Sequence, residues 1–170
     1  MSEMKDFDNW NEQKKQLHLR KDIPVFSERQ VWWVALGKNI GFEEDGKNAP
    51  FERPFLILHK YNKELIYGVP LTTRVKENKF HYKMNPARGI VGYAILSQGR
   101  AISARGLLRR IYQVGEKQCN EISQKGYELI AKKSKSQSMT GKSRTANADL
   151  YANTSKVKKK SQAQSEKMPE

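Results

Sequence analysis

Cysteine is almost absent: Cys119 stands alone in the 170-residue chain, so no intramolecular disulfide can form and the fold must hold by packing. Histidine is nearly as scarce. With only His18, His59 and His81 beside that cysteine, no spacing matches a zinc-binding pattern, and no metal or other cofactor is expected. No apolar run approaches the roughly 20 residues of a membrane-spanning helix, and the opening MSEMKDFDNW lacks the apolar centre of a secretory signal. A cytoplasmic protein without membrane contact is the expectation. Catalytic signatures are missing as well: there is no Walker loop, GxSxG or HExxH, and no carboxylate pair spaced for glycosidase or metal-nuclease work. Acidic residues are the last shortage. Asp and Glu number 18 against 32 Lys and Arg, a formal net charge of +14. That exceeds what solubility needs and points to a polyanionic partner, nucleic acid or an acidic protein.

An apolar content of 37% in a chain of this length supports one modest core, hence one domain with appendages. Three segments follow from composition. Residues 1–24 read as an N-terminal helical arm, capped by Asp8, with Phe7, Trp10 and Leu17 at helical spacing on a stripe that docks on the domain. Pro24 closes it. Residues 134–170 are rich in Lys, Ser, Gln and Asn and nearly empty of large apolar residues, the composition of a disordered basic tail. Lys158, Lys159 and Lys160 could hold RNA or ribosomes there by charge alone, although the composition reads more simply as a solvated tail with no dedicated role.

Between these lie the strands of a domain spanning 25–133. Gln30–Leu36, Phe55–Leu58, Leu65–Leu71, the alternating Phe80–Met84, Ile90–Leu96 and Leu108–Val114 all read as short strands. Gly37–Pro50 reads as a long polar loop carrying Glu43, Glu44 and Asp45. Its acidic set is more simply a solvated loop than a magnesium site, because magnesium sites draw carboxylates from several elements. Glu116 to about Lys133 reads as a helix with Cys119, Ile122, Gly126, Leu129 and Ile130 inward. Many short strands followed by one helix, without βαβ alternation, make this an α+β, mostly β chain, a small barrel or sandwich of the SH3-like kind.

Five segments occur in an order and spacing that resemble the PemK/MazF toxin family: QVWW (Gln30–Trp33), GFEEDGK (Gly41–Lys47), RPFLIL (Arg53–Leu58), GVPLTT (Gly68–Thr73) and AILSQGR (Ala94–Arg100). The resemblance covers about residues 25–133. It implies a homodimer of SH3-like barrels, the toxin of a type II toxin-antitoxin system, blocked by a cognate antitoxin. It also implies metal-independent endoribonuclease activity on single-stranded mRNA, leaving a 2′,3′-cyclic phosphate and a 5′-OH. Carried over by position, Arg53 stabilises the phosphate charge and Thr72 helps activate or orient the 2′-OH. Gln98, Arg100, Thr73, Arg74 and His81 are the expected RNA contacts.

The chemistry is feasible without metal, because the neighbouring 2′-OH of RNA is a built-in nucleophile that needs in-line geometry, a proton acceptor and a cationic donor for the phosphorane. Arginine suits the last role through its permanently charged planar fork. Blander readings exist for each residue: Arg53 as an anchor of the loop through Glu43 or Glu44, Thr72 as a strand-end hydroxyl, His81 as an exposed strand histidine. The plasmid-borne Kid-like branch uses an Arg-x-Asp pair where this chain has Ile95 and Ser97, so that acid and base pair is unavailable. Gly99 and Ser103 stand where bulkier residues and an aspartate are usual. Two competing functions remain: a non-catalytic SH3-like module binding RNA or protein, and a toxin directed at a topoisomerase, which typically lacks the Arg–Thr pair.

Overall fold

The computed structural model describes residues 4–85 and 92–137, with side chains to residue 131. Of the expected tail at 134–170, residues 134–137 instead continue a helix, and residues 138–170, Lys158–Lys160 included, lie outside the described residues. An N-terminal helix α1 (Phe7–Leu19) is followed by seven strands: β1 (Gln30–Ala35), β2 (Glu52–Lys60), β3 (Leu65–Thr72), β4 (His81–Lys83), β5 (Tyr93–Ile95), β6 (Arg100–Ser103) and β7 (Leu107–Gln113). A C-terminal helix α2 (Glu116–Gln137) ends the described chain. The α+β class with a helix at each end is as the sequence predicts.

All pairings are antiparallel, in the order β4-β5-β3-β2-β1-β7 with β6 also on β3. β3 is the pivot. One of its edges pairs β2; the other is divided between β6, along Leu65–Gly68, and β5, along Leu71 and Thr72. Successive side chains of a strand face opposite ways, so β1 and β2 feed two cores. Val31 and Leu56 join Val69, Leu71, Ala94, Cys119 and Ile122 on one side. Trp32, Val34, Phe55 and Ile57 join Phe26, Ile66 and Leu107 on the other.

Three details differ from the sequence expectation. The cap of α1 is Asp6, whose carboxylate accepts the Asn9 N–H at 3.2 Å, while Asp8 sits inside the first turn; both positions favour an acidic residue, the first by hydrogen bonding and the second by the helix dipole. The stretch AILSQGR is not one strand: a 3₁₀ turn at Leu96–Gln98 separates β5 from β6. Tyr67 packs over Gly99, where a Cβ would lie 2.5 Å from its hydroxyl. In α2, Cys119, Ile122 and Leu129 face the first core, but Ile130 is 68% exposed, one residue round the helix from the buried stripe.

α1 lies on the domain with none of its residues fully buried. Phe7 is 44% exposed, so the stripe rests mainly on Trp10 and Leu17. Trp10 packs on Gly37, where any Cβ would come within 2.1 Å of the indole, and meets Phe51 edge-on at 5.8 Å. Gly37 also has φ of 86°, a conformation that L side chains rarely adopt. Arg20 donates to the Leu107 and Arg105 carbonyls, and Arg105 in turn to the His18 carbonyl.

Candidate active site

The loop between β1 and β2 is ordered by its own polar groups. Gly46 N–H donates to the Gly37 carbonyl at 2.7 Å, and the Asp45 carboxylate accepts the Asn39 N–H at 2.7 Å. Asn39 donates from its side chain to the Glu44 carbonyl at 2.9 Å. A segment whose composition reads as solvated is therefore a built structure. Its function is to meet Arg53.

Arg53 is the second residue of β2 and only 7% exposed. Its three nitrogen donors are all engaged: Nε with the Asp45 carbonyl at 2.6 Å, Nη1 with the Leu71 carbonyl at 3.4 Å, and Nη2 with the Glu44 carboxylate at 2.8 Å. Burial pulls its pKa down, Glu44 and then Asp45 oppose the fall, and the charge of Arg74 adds to it. A desolvated guanidinium remains a cation and interacts strongly with any anion that reaches it.

Thr72 ends β3. Phe55 pairs with Pro70, so extending that antiparallel register brings Arg53 opposite Thr72, and the bond from Arg53 to the Leu71 carbonyl fits this placement. The two candidate catalytic side chains thus belong to facing strand ends. Thr72 is half-buried, and its hydroxyl accepts the Arg74 N–H at 3.2 Å, which turns the chain so that Thr73 and Arg74 follow as exposed residues.

His81 opens β4, half-buried, with Nδ1 2.8 Å from the Asn78 side-chain oxygen. Its pKa is lowered by burial first and by Lys76 second, with Glu44 opposing. The imidazole is therefore neutral at pH 7. Glu44 lies within electrostatic reach of both Arg53 and His81, so one carboxylate links two candidates from opposite sides of β3.

Gln98 and Arg100 have a different disposition. Gln98 accepts from Glu44 N–H at 3.4 Å and donates to the Phe42 carbonyl at 3.2 Å. Arg100 donates to the Leu36 carbonyl at 3.2 Å and to the Asn39 side chain at 3.4 Å. Both brace the loop. Phe42 and Ile40, on the same loop, have their side chains in solvent at 102% and 81% exposure. The sequence offers Glu44 as a solvated-loop residue, as part of a magnesium site or as an anchor for Arg53. The signal that it stands at the site was the acidic run a few residues before the RP motif, which has no reading until the loop's fold is known.

The model of the family described as PemK-like, MazF-like toxin of type II toxin-antitoxin system matches residues 27–128. The chain is a PemK/MazF-like toxin family member. Solved structures carry the same fold at low identity. MazF (Form-I) from Deinococcus radiodurans aligns with a TM-score of 0.52 at 18% identity, covering 64% of this chain and 98% of that one. The MazE-MazF structure (Form-II) from the same organism gives 0.51 at 21%, with 65% and 98% covered. An endoribonuclease from a mycobacterial species, in complex with its cognate antitoxin, gives 0.48 at 16%, with 63% and 96% covered. No curated protein sequence matches the chain. In this PemK/MazF-like chain the arm α1 precedes the matched region. Among the described residues no helix is long and apolar enough to cross a membrane, and no group of three or more His, Cys, Asp or Glu stands ready to hold a metal ion.

Proposed function

We propose that the chain is the toxin of a type II toxin-antitoxin pair and cleaves single-stranded RNA at the Arg53–Thr72 rim without a metal ion. The observation that carries this reading is a buried guanidinium with a carboxylate 2.8 Å away, on a strand whose register, extended from Phe55 and Pro70, sets Arg53 opposite Thr72. In the proposed reaction the substrate 2′-oxygen forms a bond to phosphorus as the bond to the 5′-oxygen breaks. Glu44 takes the 2′-OH proton, Thr72 orients that hydroxyl, and the leaving 5′-oxygen is protonated from solvent. Arg53 neutralises the charge that builds on the phosphorane, where a preorganised donor is worth most.

Thr73, Arg74 and His81 line the exposed approach as RNA contacts, while Gln98 and Arg100 act on RNA through the loop they hold. As in the MazE-MazF structure named above, a cognate antitoxin is the proposed protein partner, and the proposed active assembly is a homodimer in the cytoplasm. The net charge of +14 supports a polyanionic substrate.

A second reading, a non-catalytic RNA- or protein-binding module, is favoured by one observation: every donor nitrogen of Arg53 already has a protein partner. One experiment separates them. Purified protein is incubated with a mixed single-stranded RNA pool in EDTA, beside Arg53→Ala. The nuclease reading expects 2′,3′-cyclic phosphate ends from wild type and a loss on the order of 10²-fold or more in the variant, with circular dichroism unchanged. Intact RNA that is bound but never cut by wild type rejects the nuclease.

A further inference from the structure

We infer that the N-terminal arm is a positioning element for Arg53, acting through Lys5 and Trp10 on the loop that grips the guanidinium. The inference rests on the nuclease reading only for its kinetic consequences. The contacts themselves stand apart from it.

The arm precedes the segment shared with the family, residues 27–128, so the family fold does not require it. Its contacts nevertheless converge on one loop. Lys5 Nζ pairs with the Asp45 carboxylate at 3.0 Å and donates to the Asn39 carbonyl at 2.7 Å. Gln13 donates to the Pro50 carbonyl at 2.9 Å. Trp10 covers Gly37, where the loop begins, and Phe51, where it ends.

Asp45 joins the arm to the site. One carboxylate oxygen holds Lys5, the other caps the Asn39 N–H, and its carbonyl receives Arg53 Nε at 2.6 Å. A shift of Asp45 therefore moves the acceptor that fixes the plane of the guanidinium. Phe51 adds a second route. It holds φ of 48°, a strained conformation for a bulky residue that persists only where its surroundings impose it. Phe51 lies two residues before Arg53, with Trp10 against its ring and its carbonyl accepting the Leu36 and Gly37 N–H groups.

The arm has little else to do for stability. None of its helical residues is fully buried, and open clefts of about 700 Å³ and 370 Å³ run between it and the strands beneath. A half-buried ion pair such as Lys5–Asp45, still partly open to solvent, contributes modestly to folding, yet small displacements at a reacting centre cost rate steeply. This contrast makes a positioning role distinguishable from a structural one.

The test uses the full-length chain with Lys5→Ala, Lys5→Arg, Trp10→Ala, Asp45→Asn and the double variant Lys5→Ala/Asp45→Asn. Hydrogen exchange at the Asn39 and Gly46 amides, thermal unfolding, and kcat and KM on RNA are measured together. Lys5→Ala and Trp10→Ala are expected to speed exchange at both amides and to lower kcat by about tenfold, within the range that misplacement of a reacting group produces. KM should change less than about twofold under the same logic of uniform binding, with the unfolding midpoint near wild type. Lys5→Arg should recover most of the rate, and adding Lys5→Ala to Asp45→Asn should cost no more than Asp45→Asn alone. Wild-type exchange at the loop amides in Lys5→Ala and Trp10→Ala overturns the inference, and so does a rate loss that only follows loss of folded protein. A wild-type chain that never cuts RNA rejects the nuclease reading instead, and the exchange data still decide whether the arm orders the loop.

Discussion

At Arg53 two roles that the sequence sets against each other coexist. The residue does anchor the loop, through Glu44 and the Asp45 carbonyl, and in the proposed reaction the β2–β3 register, extended from Phe55 and Pro70, sets it opposite Thr72. A buried cation held by a carboxylate can exchange that partner for a phosphate oxygen, which leaves the carboxylate free to accept a proton at the moment substrate arrives. Glu44→Gln tests this directly. The amide keeps the shape and can still accept a hydrogen bond, but it cannot take the 2′-OH proton, so cleavage should fall by 10² to 10⁴-fold, the usual scale of general base catalysis. If Glu44 only occupies Arg53 until RNA displaces it, the same variant should bind RNA more tightly and cut no more slowly. Single-turnover cleavage beside equilibrium RNA binding separates these outcomes. His81 differs: burial and then Lys76 lower its pKa, which favours the neutral imidazole, so the RNA contact proposed for it would be a hydrogen bond from an uncharged ring.

Among the elements, the two helices have unlike roles. α1 rests on a few polar anchors and one indole, whereas α2 completes a core: Ile122 is 0% exposed and packs with Val31, Leu56 and Val69. Ile122→Ala should therefore destabilise the domain by about 2–5 kcal/mol, the cost of a buried cavity, read as a fall in the denaturant midpoint at unchanged slope. A change below about 0.5 kcal/mol would be the behaviour of a surface position and would place α2 outside the folding unit. The loop between β1 and β2 is the third functional element. Its polar residues are spent on each other and on Gln98, Arg100 and Lys5, and its apolar ones, Ile40 and Phe42, are left to solvent. That inversion of the usual pattern suits a surface that meets a ligand with both π-faces and charges, as unpaired RNA bases and phosphates do.

For the molecule as a whole, 32 basic residues against 18 acidic would make the proposed RNA affinity a counterion-release property. Binding measured with the Arg53→Ala variant, which removes cutting from the signal, should weaken linearly in log salt, with a slope of about −0.7 per phosphate neutralised on a single strand. A flat salt response would mean that the charge excess serves another partner.

The sequence alone was enough for the α+β class, both flanking helices and most strands, because alternating β-branched and aromatic residues such as Val31–Val34, and the helical spacing of Cys119 and Ile122, are local signals. It was enough also to single out Arg53 and Thr72 by their motifs. The tertiary structure decided the rest. It divided AILSQGR into two strands around a turn, moved the helix cap to Asp6, and assigned Gln98 and Arg100 to the loop. It also brought Glu44 onto Arg53 and Lys5 onto Asp45, 40 residues along the chain. Those facts depend on which loop folds over which strand end, and a loop's shape is set by long-range hydrogen bonds and one packed indole, none of which leaves a periodic trace in the order of the amino acids.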